Sequence, residues 1–224
     1  MSNEWLFVLS ALTDILFVFF AARRGVELLL STVAINLVLI AIFGAKLFTV
    51  FGLTTNVGNI FYACVFLATY FLLERGGHRL GVKAIWYGAA IVCFFALLSQ
   101  FAAYFTGLTT SEGINSAVTT LFSFSPRVAF ASVLAYIFAQ SINIFIFERL
   151  KARTKGKALW LRSIAANIVA QLVDSLIFFS IVFFDLSGPL LVQTILSGWL
   201  IKSFVTILGT PLLYLDAYFE RKKA

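Results

Sequence analysis

Apolar residues in this chain come in long runs instead of alternating with polar ones. Seven segments, about 5–22, 26–48, 57–73, 83–105, 127–147, 161–184 and 190–215, are almost continuously hydrophobic. Each is near the ~20 residues that a helix needs to cross the ~30 Å hydrocarbon layer of a bilayer. Gly, Ser and Thr, or clusters of Arg and Lys, separate them. The pattern predicts an all-α integral membrane protein, a bundle of six to seven transmembrane helices forming a single transmembrane domain over residues 1–224.

Composition narrows this further. Hydrophobic residues make up 61% of the chain and charged ones 12%, with a mean hydropathy of +0.99. That is too little charge to cover a soluble domain, so a multi-pass protein of the cell membrane is expected, in a bacterium the inner membrane. Met1 to Glu4 carry no basic leader, and no small-x-small site precedes Arg23-Arg24, so no cleaved signal is expected. Cys64 and Cys93 lie inside apolar runs and read as small core hydrophobes. His78 stands alone in a basic loop, without companions for a metal site. No cofactor is implied.

The net charge of +7 changes meaning once its placement is considered. Arg23, Arg24, Arg75, Arg79, Lys83, Arg149, Lys151, Arg153, Lys155, Lys157, Arg162, Arg221, Lys222 and Lys223 follow the first, third, fifth and seventh runs. Those are 14 of the 17 Lys and Arg, leaving Lys46, Arg127 and Lys202. One side of the membrane therefore holds nearly all of the positive charge, and by the positive-inside rule that side is cytoplasmic. The expected orientation puts the amino terminus outside and the carboxyl terminus in the cytoplasm. The basic excess is a topology signal, with no nucleic-acid partner implied.

Against this background the sixth run, IAANIVAQLVDSLIFFSIVFF, is anomalous. Asn167, Gln171 and Asp174 recur at i, i+4 and i+7, one face of a helix. Lipid cannot satisfy amides or a carboxylate, so this face must turn into the bundle. The fifth run repeats the spacing with Tyr136, Gln140 and Asn143, and AQSINIFIF aligns with AQLVDSLIF at an offset of 31 residues. Asp174 and Lys202 each lie about 12 residues, roughly 18 Å, into their spans, and Asp14 about nine residues, roughly 14 Å, into the first. Lys202 is the natural partner for Asp174, with Asp14 a rival. Asn36 and Gln100 add polar atoms to the second and fourth spans. Single amides often serve only as glue between helices, worth about 0.6 kcal/mol each. A set spread over four spans at one depth reads better as a polar cavity. Among the aromatics, Trp86, Tyr104 and Trp199 are candidates to stack on a ligand.

The stretch PRVAFASVLAYIFAQSINIFIFERLK, the basic loop, and LWLRSIAANIVAQLVDSLIFFSIVFF together resemble the queuosine-precursor transporter family, also called the vitamin-uptake-transporter-like family. The resemblance is good over 126–184 and weaker over 44–83. It implies an importer of 7-deazaguanine bases, precursors of modified nucleosides in transfer RNA. Gln171 and Asp174 fall on an intact family motif. Gln140 and Asn143 fall on another in which Asp usually stands where this chain has Asn143. Glu74 matches the family in the third span, whereas Tyr70 occupies a usual Asp position. Lys202 and Arg127 sit at positions that are basic in many members. The expected substrate-binding set is Asp174, Gln171, Gln140, Asn143, Asn167, Lys202, Glu74, Tyr70 and Asp14. With Tyr70 and Asn143 in place of acids, a neutral 7-cyano base is expected to bind better than the cationic 7-aminomethyl one.

The function expected is therefore import by alternating access around a midplane site, as for 7-cyano-7-deazaguanine. An importer or binding subunit for another vitamin-like or nucleobase ligand stays open, the subunit form depending on a separate ATP-driven module. Lys202 also invites comparison with seven-helix retinal receptors, a remote alternative. An enzyme is not expected: no intramembrane nucleophile–base pair or HExxH occurs. The amide stripe leaves room for a homodimer, and Asp174 or Asp14 for proton coupling.

Overall fold

In a computed structural model the chain is described over residues 2–44, 46–108, 112–122, 126–185 and 187–221. Helices α1 (Asn3–Arg24) and α2 (Val26–Phe43) are followed by a β-hairpin, β1 (Leu47–Val50) and β2 (Leu53–Asn56). Helices α3 (Gly58–Tyr104), α4 (Glu112–Phe122), α5 (Pro126–Arg153), α6 (Leu159–Val182) and α7 (Gly188–Arg221) complete the order. Among the described residues, six helices, all but α4, are long and apolar enough to cross a membrane.

Helix α3 has 47 residues, about 70 Å if straight and more than twice the hydrocarbon thickness. It does not stay straight. Its backbone breaks at Gly77 (φ 58°, ψ −151°), a conformation that is essentially glycine's alone. A Cβ there would meet nothing within 4 Å, so the dihedrals alone require glycine. Beyond the break the chain packs back, with Gly81 against Leu73 and against Ile144 of α5. Further on, the Tyr136 hydroxyl of α5 donates to the Ala84 carbonyl at 3.1 Å. Gly88 lies against Leu37 of α2 and the Tyr136 hydroxyl, a close approach that only a small residue permits. One continuous helical assignment thus supplies both the 57–73 and the 83–105 runs.

The first half of α3 is the centre of the molecule. Residues 58–73 are buried except Phe61, enclosed by α1, α2, α5 and α7. Large apolar side chains elsewhere face outward, among them Leu16, Phe94, Phe101, Phe145 and Leu200. Such exposure suits a lipid surface, where the backbone bonds internally and apolar side chains face the acyl chains.

Among the described residues, five ion pairs gather the helix ends at one face. Asp216 of α7 meets Arg75 at 3.1 Å and Arg23 of α1 at 3.5 Å. Glu74 meets Arg162 of α6 at 2.7 Å and Lys151 of α5 at 2.9 Å. His78 Nδ1 lies 2.7 Å from Glu148. This basic face is the one outlined by the charge pattern of the sequence. Lys222, Lys223 and the side chains of Arg127 and Arg221 lie outside the described residues.

Two elements differ from the sequence expectation. The segment read as a connection around TVFGLTTN forms the β1–β2 hairpin, so the fold is not helical throughout. Phe51 and Gly52 at its turn both have positive φ, 50° and 75°, the requirement of a tight hairpin turn. Asn3 pins it to α1 by donating to the Thr49 carbonyl at 2.9 Å. The Ser/Thr-rich segment after 105 contains α4, whose 11 residues are too few to register as a span. Gln100 donates to the Phe122 carbonyl at the end of α4, so its amide serves the helix terminus and not the central polar set.

Candidate functional site

The short connection between α5 and α6 makes them antiparallel neighbours that pack closely against each other. Gln140 lies 13 residues before Arg153, and Gln171 lies 12 residues after Leu159. At 1.5 Å per residue both stand roughly 18–20 Å from the basic end, level with each other. Asn143 lies nearer that end and Asp174 farther from it.

Two tyrosines of α3 bracket this level. The Tyr62 hydroxyl donates to Asp174 Oδ1 at 2.6 Å, and the Tyr70 hydroxyl donates to Asn143 Oδ1 at 2.9 Å. Eight residues separate them, about 12 Å along the axis and about 80° around it. One therefore meets α6 while the other meets α5. Asn143 Nδ2 in turn donates to Gln140 Oε1 at 3.2 Å. The two Gln-x-x-(Asn/Asp) motifs are each engaged by one tyrosine.

Charge enters from α7. Lys202 Nζ donates to Asp174 Oδ2 at 2.6 Å, and it lies 5.3 Å from the centroid of the Tyr62 ring. Lys202 is 2% exposed and Asp174 7%. Carboxylate, ammonium and phenol thus form one buried group made by α3, α6 and α7.

Around these contacts, hydrogen-bonding capacity is left over. Gln140 Nε2, Asn167 Nδ2 and Oδ1, and Gln171 Nε2 and Oε1 are buried without partners, as is Ser175 Oγ. An unsatisfied buried polar group costs about 1–3 kcal/mol. Amides serving only as glue would be fully paired; Gln140 is bonded at its oxygen alone, and Asn167 and Gln171 at neither amide atom. A ligand with donors and acceptors on its edges could use such atoms. Among the described residues no three His, Cys, Asp or Glu side chains converge as metal ligands. The chemistry on offer is hydrogen bonding and charge.

Of the expected residues, Asp174, Lys202, Gln171, Asn167, Gln140, Asn143 and Tyr70 line this interior. Glu74 does not: it is held at the basic face by Arg162 and Lys151. Layers separate it from the amides, with the Tyr70 ring stacked on Phe147 at 5.2 Å and the Arg162 guanidinium over Phe147 at 5.1 Å. Asp14 also stands apart. It accepts from Asn36 Nδ2 of α2 at 3.2 Å, and Lys202 is taken by Asp174. Trp86 and Tyr104 point outward, 62% and 83% exposed, and Trp199 donates to the Ile168 carbonyl. The aromatic that sequence reasoning missed is Tyr62. Its signal was a second phenol in the apolar 57–73 run, eight residues before Tyr70.

Membrane-crossing helices around a buried, partly unsatisfied polar core define a multi-pass membrane protein of transporter type. Residues 56–215 match the model of the family described as "Putative vitamin uptake transporter", and the chain belongs to that family. Two curated relatives are both named "Probable queuosine precursor transporter". The one from Bacillus subtilis (strain 168) is 31% identical over 186 residues, covering 82% of this chain and 79% of the relative. The one from Haemophilus influenzae is 26% identical over 175 residues, covering 75% and 68%. No solved structure matches. Membership places the chain among transporters and away from enzymes and retinal receptors.

Proposed function

We propose that this protein imports a 7-deazaguanine base, a precursor of queuosine, and that the ligand binds among Gln140, Asn143, Asn167, Gln171, Asp174 and Tyr70. The observation that carries the reading is the set of unpartnered amide atoms beside Asp174. A guanine-type edge presents adjacent N–H donors that a carboxylate accepts. Its opposite edge presents mixed donors and acceptors that Gln and Asn match. The names of the two relatives point to the same ligand class.

The basic face is cytoplasmic in this reading, with the amino terminus outside, since Arg and Lys concentrate in cytoplasmic loops. The amide level lies near mid-membrane, so access alternates between the two sides of a fixed site. A different vitamin-like or nucleobase ligand is the second reading, supported by Tyr70 and Asn143 at positions where the resemblance implies acids.

Thermal stability of the detergent-purified protein tests the proposal. A saturating ligand at about 100 times its dissociation constant stabilises by about 2.7 kcal/mol. A shift with 7-cyano-7-deazaguanine that is absent in Gln171→Ala and Asp174→Asn is expected. A shift only with an unrelated vitamin would transfer the site to another substrate.

A further inference from the structure

The carboxylate at the proposed site does not stand free. Tyr62 occupies one position on Oδ1 and Lys202 one on Oδ2, both at 2.6 Å. A carboxylate offers about four lone-pair positions, so one remains on each oxygen. That is enough to receive two adjacent N–H donors without displacing either partner. The ammonium therefore stays when the ligand arrives, and the ion pair as a whole carries no net charge.

Lys202 has little freedom to leave. It is 2% exposed, and its ammonium also lies 5.3 Å from the Tyr62 ring centroid, where a cation is attracted by the ring face. On the same helix as Asp174, Gln171, Ser175 and Asn167 are uncharged and have polar atoms to spare. Glu74, the nearest further carboxylate along α3 beyond Tyr70, is committed to Arg162 and Lys151. Asp14 meets α2. It also faces the Cys64 thiol of α3, and of the described carboxylates Asp174 is the one that meets Lys202.

We propose that Lys202 determines the charge of the ligand, acting as a built-in counter-ion that neutralises Asp174 and excludes positively charged substrates. This rests on the proposed 7-deazaguanine reading and deepens it. The same ring with an uncharged 7-substituent meets an electrically neutral site. With an ammonium-bearing substituent it brings a second cation close to Lys202 in a dry interior, where like charges repel far more strongly than in water.

The test compares 7-cyano-7-deazaguanine with 7-aminomethyl-7-deazaguanine by isothermal titration on the full chain in detergent. The wild-type protein should favour the neutral compound by about tenfold or more, as expected for a like-charge penalty in a low-dielectric site. Lys202→Met should reverse the preference, because Asp174 then carries an open negative charge. Lys202→Arg should keep it. Since Lys202→Met leaves a buried carboxylate without a donor, Lys202→Gln, an uncharged side chain that can still donate to Asp174, serves as the second variant and should also lose the preference for the neutral compound. A folded Lys202→Met or Lys202→Gln variant that keeps the wild-type preference overturns the assignment of Lys202 while leaving the ligand class intact. Failure of the wild-type protein to bind either compound overturns the functional reading and this inference with it.

Discussion

Asp174 shows how one residue can be too costly to keep alone and too useful to lose. Burying a carboxylate with its cation roughly breaks even, whereas removing one partner strands the other at about 3–5 kcal/mol. Asp174→Asn should therefore lower thermal stability substantially, by leaving Lys202 buried without its anion. Adding Lys202→Met should restore most of the loss without restoring ligand binding. Melting curves of the two single variants and the double variant check this directly. Asp14 is the contrasting case, since its described hydrogen-bond partners are neutral, the Asn36 amide and the Cys64 thiol, and Asp174 has the lysine. An intramembrane carboxyl without a cation is a candidate for proton coupling. In proteoliposomes, Asp14→Asn should abolish accumulation driven by a pH gradient and leave ligand exchange at equal pH intact.

Among the elements, α3 does the most with the least sequence signal. Its first half touches both polar motifs, and its break at Gly77 aligns the following span beside α2 and α5. Replacing Gly77 by Ala forces a Cβ into a strained conformation costing on the order of 1–3 kcal/mol. Its melting temperature should fall although no contact is lost, a result that separates backbone strain from packing. The sequence made the spans legible because lipid imposes a long, uniform apolar run on each. The Asn167–Gln171–Asp174 face was legible for the converse reason, since polar residues inside such a run have to face inward. Tyr62 and the Glu74–Arg162 pairing were not legible. A tyrosine in an apolar run is equally at home against lipid headgroups, and which carboxylate meets which cation depends on helix packing that periodicity does not encode. The hairpin and α4 escaped because each is shorter than the signal being read.

Across the described residues, polarity is sorted into an ion-paired basic face, a buried polar core and an apolar jacket. The proposed orientation makes a prediction at this scale. In a Cys93→Ala background, a cysteine at Lys157 should react with a membrane-impermeant thiol reagent only from the cytoplasmic side. A cysteine at Gly113 should react only from outside, and labelling with the opposite sidedness would invert the topology. The Asp174–Lys202 pair has one more consequence. Each elementary charge moved through a full 100 mV potential exchanges about 2.3 kcal/mol with the field, but a plus and a minus 2.6 Å apart move together and exchange almost nothing. Membrane voltage should then neither drive nor hinder the return of the empty carrier. Any current that accompanies uptake of an uncharged ligand would have to be carried elsewhere in the protein.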